Sequence, residues 1–589
     1  MKTNFYFLSA MILFLVLVNR VNAQPTLHWQ AHYDGGNVSD KAVAIAVDND
    51  CNTYVTGQSG SIGHGVDIVT IKYDSAGNVV WQKRWDGSAQ LDDIPTAIKL
   101  DNTGKVYVCG KTGTASHGSD WVLIQYSNTG VFGWASTRNS VTNADDVAND
   151  LVIDNGGNVY VCGNLGTKAG VSKFNSLGSG AWLFTSTPGT TAYTDESYKL
   201  SLAPSGNVIV MIYGFWSTSY YGEFLTVNAS TGLSSPFYYQ SSVIPIDFVL
   251  NGSGEAFVLG YYKTGAIEEL RVYKSSSMSP SYGKTSLNDI QNRNGSIKVD
   301  ASNNIYFATF EDSVTVGNQF LTTKLNYAGT LQWQKTYGGT NDDQGMVLSF
   351  TSPYVIVGGY TTNASGDKDF TFLRYNSTGA LQSATTYDMV SVDDVPAGMQ
   401  TDQYGNVFLT GFSGGFGAED FTTVKYCVNA FPVTISAVSS DSLYCTTTAT
   451  SYQWYQNGVL LSGETAQGIN LLASGVGNYF CVTWQYCCPD TSSTITMTSV
   501  GIENFEKENN LVSVYPNPAN KKLNILFHQE NFRATSVVIY NVLGEKLVEQ
   551  NIPDGSTSMT MDVSSLKEGM YSCIVSSKSE VVVKQFLKR

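Results

Sequence analysis

The chain of 589 residues carries 49 acidic against 34 basic side chains, a net charge of -15 and a pI near 4.8. Such a surface repels phosphate backbones, which excludes nucleic acid as a partner. Charged residues are only 14% of the total while Gly (56) and Tyr (35) are abundant, a composition that points to an exported all-β protein of several domains rather than a cytosolic helical one.

The chain opens on a targeting segment. Lys2 precedes the apolar run FYFLSAMILFLVLV (residues 5–18), and VNA (21–23) offers small residues for cleavage after Ala23. The run is short for a membrane span, and no later run approaches that length, so no transmembrane segment is expected in the mature chain. Residues 1–23 are read as a signal peptide.

The next 400 residues repeat themselves. DNTGKVYVCG (101–110) and DNGGNVYVCG (154–163) are nearly the same phrase. Further copies end at Gly57, Gly214, Gly260, Phe310, Gly359 and Gly411, at a period of roughly 46 to 53 residues. A second phrase follows each, clearest in DIVTIKYDSAGNVVWQKRW (67–85) and QFLTTKLNYAGTLQWQKTY (319–337). Each unit reads as four short strands separated by Asn/Gly turns, the signature of a β-propeller. The last unit has three strands and stops at Cys427, while LHWQAHYDGG (27–36) matches the fourth strands of other units. We therefore expect an all-β, eight-bladed propeller over residues 24–427, closed by the N-terminal strand. Seven blades is the alternative, because units four and five are degenerate. The repeat resembles the bacterial β-propeller repeat family often labelled seven-bladed. The resemblance covers residues 27–427 and implies a fold and a cell-surface context, but no chemistry.

Residues 428–500 change pattern. SYQWYQNGVLLSG (451–463) and GVGNYFCVTW (475–484) resemble an immunoglobulin-like sandwich, with Trp454 as the buried tryptophan and Tyr479–Cys481 as the Y-x-C strand. The expected disulfide is Cys445–Cys481. Cys427, Cys487 and Cys488 cannot be paired from sequence, and nine cysteines leave at least one unpaired within the chain. Cys109 and Cys162 read as small buried apolar residues. Residues 501–510 are polar and read as a linker.

Residues 511–589 resemble the C-terminal sorting domain of type IX secretion substrates. The motifs are Tyr515-Pro516-Asn517-Pro518, the YNVLGE hairpin with Gly544, the LKEGMY stretch with Gly569 and Tyr571, and a final KQFLK strand. The resemblance implies a small β-sandwich of about seven strands. It also implies export by the type IX machinery, with the cargo released or attached to the outer-membrane surface.

Chemistry is sparse. Zinc, Walker and nucleophile-elbow motifs are missing. DNDCN (48–52) lacks the glycine and glutamate of a calcium loop and aligns with the DNTGK turn. His64 and His117 recur at matching loop positions. No cofactor is expected, although the aspartates that recur between units, including Asp93, Asp146, Asp343 and Asp394, could suit calcium. The competing reading is that each caps its local turn. Trp216, Tyr220, Tyr221, Tyr261 and Tyr262 lie near second-to-third-strand loops and could stack on a sugar or anchor a protein. The expectation is a non-enzymatic adhesion scaffold at the cell surface that binds a glycan or surface protein. The alternatives are a polysaccharide lyase or glycosidase on the propeller, or a purely structural surface component.

Overall fold

The computed structural model describes residues 24–36, 39–61, 65–116, 118–186, 194–216, 219–264, 267–285, 294–313, 317–389, 391–415, 417–428, 433–439, 441–498, 511–528, 532–577 and 581–589. The signal peptide, the linker, His64 and His117 lie outside them. Among the described residues every regular element is a strand. The chain divides into two compact units. One comprises residues up to Pro432 together with Ala449–Ser451 and Val482–Thr491; the other holds Val433–Thr448, Tyr452–Cys481 and Ser492–Arg589.

The first unit is propeller-like, built of eight four-stranded antiparallel sheets. Sheet 1 runs Asp40–Val47, Thr53–Ser61, Gly65–Tyr73 and Val79–Trp85, and sheet 2 runs Asp93–Leu100, Val106–Gly113, Ser119–Tyr126 and Phe132–Arg138. Sheets 3 to 7 follow over residues 146–185, 194–241, 243–285, 296–337 and 344–387. Sheet 8 has Asp394–Thr401, Val407–Ser413 and Asp420–Cys427, and its fourth strand is Thr26–Tyr33 from the chain's N-terminal side, paired from Thr26↔Cys427 to Tyr33↔Phe421. Each sheet shares a buried apolar cluster with the next. Sheets 8 and 1 share Trp29, Ile45, Val55, Phe408 and Phe421 in the same way.

The repeated phrase has a local physical cause. Its aspartate caps the turn between the first two strands: Asp101 Oδ1 accepts the Thr103 and Lys105 amides at 2.8 and 3.0 Å. The tyrosine six residues on reaches back, with Tyr54, Tyr107, Tyr160 and Tyr306 hydroxyls donating to Asp48, Asp101, Asp154 and Asp300 at 3.1, 3.2, 3.0 and 3.1 Å. Burial opposes ionisation of Asp101 and Asp154, but these donors more than offset it and hold both below the ordinary carboxylate range. The closing glycine is a matter of space. A β-bulge in the first strand brings its backbone so near that a Cβ on Gly110 or Gly163 would sit 2.0 Å from a carbonyl oxygen.

A second recurring device joins neighbouring sheets. A lysine of the third strand and the tryptophan of the fourth both donate to one carbonyl in the next sheet's third-to-fourth turn. Lys425 and Trp29 hold Ser75, and Lys72 and Trp81 hold Asn128. Lys173 and Trp182 hold Ala229, and Lys324 and Trp333 hold Ser377. The indole of Trp81 also lies where a Cβ on Gly130 would fall, 2.7 Å away, and that glycine takes a positive φ of 79°.

Two disulfides, Cys51–Cys487 and Cys427–Cys488, bind the hairpin tip at residues 486–487 to sheets 1 and 8. They explain why residues 482–491 group with the sheets, against the expected boundary at residue 427. Cys51 has φ 60° where the repeat copies carry Gly104 and Gly157. The Asn406 amide and the Lys425 ammonium also donate to the hairpin, to the carbonyls of Tyr486 and Cys487 at 2.7 and 2.5 Å.

The expected Cys445–Cys481 bond is corrected. Both are buried in the second unit and are not joined in a disulfide. Burial and the neighbouring Cys445 push the Cys481 thiol up to about 12. Around them Trp454 is fully buried with its indole donating to Ala466 O at 2.9 Å, and the Tyr479 hydroxyl donates to Gly475 O at 2.5 Å. Cys109 and Cys162 are buried free thiols. Residues 511–589 form sheets of three and four strands around Val512, Leu523, Ile525, Val537, Ile539 and Phe586. Asn517 joins its PNP segment to the last strand, accepting the Leu587 amide at 2.8 Å, and the Tyr571 hydroxyl donates to Lys567 O at 2.8 Å.

Two stability outcomes follow. Replacing Cys427 and Cys488 with Ser should cost about 4 kcal/mol on the loop-entropy scale, read as a lower denaturant midpoint; an unchanged midpoint would mean that this bond does not constrain the chain. Trp81→Ala should cost about 3–5 kcal/mol, and more than Trp81→Phe, which keeps most of the ring's packing but removes the N–H donor.

Candidate functional site

Paired aspartates between sheets act first as staples. The second of each pair holds its loop: Asp93 Oδ2 accepts the Gly87 amide and Asp343 Oδ2 the Gly339 amide, each at 2.5 Å. Asp146 accepts Ser140 and Gly166 amides at 2.5 and 2.6 Å, and Asp394 accepts the Met389 amide at 2.7 Å and the Ser413 hydroxyl. The first of each pair reaches back to the preceding sheet. Asp92, Asp145, Asp342 and Asp393 accept the amides of Val66, Ser119, Asn318 and Lys368 at 2.9–3.1 Å.

At three consecutive junctions other carboxylates join these staples. The triads are Asp369–Asp388–Asp394 between sheets 7 and 8, Asp34–Asp40–Asp420 between sheets 8 and 1, and Asp67–Asp86–Asp93 between sheets 1 and 2. In each, one oxygen per residue lies within 4.8 Å of the others. Of the four aspartates read from sequence as metal ligands, Asp93 and Asp394 belong to such triads. Among the described residues, Asp146 and Asp343 gather no such cluster. Sequence reading missed Asp86, Asp388 and Asp34, which follow the fourth strands; their recurrence after an aromatic (WD, YD, YD) was the available signal.

A second site lies where the first strands meet. Successive first strands contact one another from sheet 1 to sheet 8, and sheet 8 contacts sheet 1. Sheets 2 to 6 place charges of alternating sign there: Lys99, Asp150, Lys199, Asp247 and Lys298. Lys199 and Asp247 form an ion pair across sheets 4 and 5. Asp247 also accepts the Phe248 and Ile297 amides at 2.8 and 2.9 Å, so both its oxygens are engaged. Burial alone would lower Lys199, but Asp247 and then Asp150 raise it above the ordinary lysine value. Lys298 goes the other way, lowered by burial and by the like charges of Lys199 and Lys99. A cavity of about 310 Å³ opens here, with Lys199, Asp247, Lys298, Ser349 and Gln400 as its polar lining and Met346, Leu348 and Met399 as its apolar wall.

The aromatic residues singled out from sequence do not form one exposed platform. Tyr261 is core, 5% exposed. Tyr220 stacks on Tyr213 with centroids 5.8 Å apart, and Tyr262 lies under the Arg271 guanidinium at 3.6 Å. The Tyr221 hydroxyl donates to Asp195, and its ring stacks on Tyr239, itself 45% exposed. The third strand of sheet 4 and the second strand of sheet 5 use these rings as packing. The side chain of Trp216 lies outside the described residues.

Residues 513–589 match the family model described as a secretion system C-terminal sorting domain. No curated protein matches the chain significantly. Solved structures that resemble it include a catalytically inactive virginiamycin B lyase from Staphylococcus aureus, 10% identical over 67% of this chain and 98% of that one, TM-score 0.35. A putative 6-phosphogluconolactonase from Bacteroides fragilis is 11% identical over 62% and 97%, TM-score 0.37, and a polysaccharide lyase is 9% identical over 65% and 89%, TM-score 0.36. Among the described residues no helix is long and apolar enough to cross a membrane. The sorting domain marks the chain as a secreted protein that engages the type IX secretion machinery.

The triad between sheets 7 and 8 makes a pH prediction. Burial, then Asp388 and Asp394, push Asp369 up to about 6. Burial likewise pushes Asp394 up to about 6, against its Ser413 and Met389 donors and with Asp388 and Asp393 adding to the rise. Both carboxyls hold protons more tightly folded than unfolded. Their contribution is therefore complete below the ordinary value of 3.8 and is lost as pH rises through about 6. In metal-free buffer, Asp388→Asn should be more thermostable than the natural protein at about pH 8, with the difference shrinking toward about pH 5; a gap independent of pH would refute the coupling.

Proposed function

We propose that the protein is a secreted, non-enzymatic binding scaffold. In this reading the eight sheets are blades of a closed propeller of the bacterial repeat type, residues 433–498 supply an immunoglobulin-like spacer, and the C-terminal domain is the export address. The Trp454 core and the Tyr479 hydroxyl bond support the immunoglobulin-like reading. The propeller is the ligand platform, and its ligand is an anionic group of a surface glycan or surface protein taken into the cavity between the first strands.

The observation that carries this reading is Lys298. It closes the run of alternating charges, and its neighbour on the far side, in sheet 7, is the neutral Ser349. Its ammonium therefore has one acidic neighbouring strand where Lys199 has two, and it faces a cavity of ligand size. The apolar wall opposite suits the carbon skeleton of a sugar or side chain. Asp247, the carboxylate of the lining, is committed to Lys199 and two amides, which favours holding a ligand over acid–base work on it. Glycoside hydrolysis asks for two available carboxylates about 5–9.5 Å apart.

The secreted protein should bind uronate-bearing or sulfated glycans on an array, more weakly as salt rises. Lys298→Ala should weaken that binding at least about tenfold, and Lys298→Arg should retain most of it. Turnover of a polysaccharide panel, or binding indifferent to Lys298→Ala, would sink the proposal.

A further inference from the structure

We infer that Asp369, Asp388 and Asp394 form a binding site for one hard divalent cation of the calcium class, at the junction of sheets 7 and 8. This site is separate from the cavity and does not depend on the ligand reading.

The argument rests on comparing equivalent junctions. Each triad takes one aspartate from the start of a third strand (Asp67, Asp369, Asp420) and one from just after a fourth strand (Asp86, Asp388, Asp34). The third comes from the first strand of the next sheet (Asp93, Asp394, Asp40). Three carboxylates so close together need a positive charge or a proton. Between sheets 1 and 2 the protein supplies its own: Arg84 Nη1 donates to Asp67 Oδ2 at 2.5 Å. Arg84 sits opposite Val69 in the strand pairing, and the residue at that register in sheet 7 is Thr386, opposite Thr371. In sheet 8 it is His32, opposite Thr422, where the Lys41–Glu419 ion pair at 3.0 Å also brings an ammonium to the junction. Three neighbouring junctions thus carry an arginine, a histidine and a threonine at one position, and the threonine junction lacks the built-in cation.

A second observation is independent of the clustering. Asp369 is 5% exposed, and its Oδ1 is buried and accepts no hydrogen bond. A buried carboxylate oxygen left this way is costly unless something positive meets it. The Asn363 side chain is the one donor among the causes that act on Asp369, and the charges around it are negative. Asp367, Asp388 and Asp394 face Asp369, and Asp388 and Asp393 face Asp394. His32 approaches only as far as the Tyr387 hydroxyl, at 3.3 Å, and burial lowers its basicity. Lys368 points to the Tyr360 ring instead, 4.8 Å from its centroid. Asp388 is exposed, which leaves an entry path and room for water to complete a shell. Carboxylate oxygens with water, without nitrogen or sulfur donors, suit calcium.

The test uses the full secreted chain, stripped with chelator and titrated with calcium by calorimetry and with terbium by tyrosine-sensitised luminescence, Tyr387 adjoining the site. Saturable binding is expected in the roughly 10⁻⁴–10⁻³ M range of extracellular modules. Asp388→Asn should weaken it at least about tenfold. Thr386→Arg should abolish it while leaving the metal-free protein folded, because it installs the cation that Arg84 provides at the sister junction. If that variant fails to fold, Asp388→Asn decides alone. Silence up to about 10 mM calcium, a range well above extracellular-module affinities, would overturn the site. So would binding unchanged in both variants.

Discussion

The carbonyl that a lysine and a tryptophan share at four of the sheet junctions is the contact on which the propeller-like unit leans. A four-stranded sheet of this size cannot bury both its faces alone, so every sheet depends on its neighbours. The lysine–tryptophan pair turns that dependence into a fixed register, because an ammonium and an indole N–H converge on one oxygen while the indole covers the turn glycine. The geometry admits little slip. A side chain on Gly130 would occupy the space of the Trp81 ring, so sheet-to-sheet spacing is set at the outer strands as well as in the apolar clusters between them.

Much of this was legible in the sequence because its causes are local. The Asp cap, the tyrosine that returns to it and the glycine opposite a bulge all fall within about ten residues, so the phrase recurs as text. The N-terminal strand was legible because Trp29 keeps the tryptophan of the other fourth strands. What stayed hidden depends on distance along the chain. Cys51 pairs with Cys487 across 436 residues, and the immunoglobulin-like resemblance pointed instead to Cys445 and Cys481, which remain thiols. The acidic pairs and the third-strand Asp369 were visible, but Asp388 comes from another loop, and the contrast between Arg84 and Thr386 only emerges when strand registers are laid side by side. The burial of Tyr261 was hidden for a related reason: sequence marks large rings but does not say whether a neighbouring sheet covers them.

Repetition and function pull apart in this molecule. Positions that repeat equally, such as the turn aspartates, serve the fold. Positions that break the repeat carry the chemical interest. Cys51 replaces a glycine and forms a cross-link, Arg84 stands at the register where sheets 2, 6 and 7 carry Thr137, Thr336 and Thr386 and pairs with its carboxylate cluster, and the lysines and aspartates of sheets 2 to 6 bring charge to the first strands around the cavity.

The pairing of Thr26–Tyr33 with Asp420–Cys427 also imposes an order of events. A chain delivered from its N-terminus presents that strand first, yet its partner arrives some 400 residues later. Until then the strand has an unsatisfied edge, the kind that recruits stray strands, and the apolar face of sheet 1 that meets sheet 8 is uncovered. Completion is therefore a single late step rather than a gradual accretion. The cysteines that fasten it, Cys487 and Cys488, lie further along still. They follow both partners of that pairing in the chain, so a chain delivered in this order can form the two covalent bonds only after both strands are present.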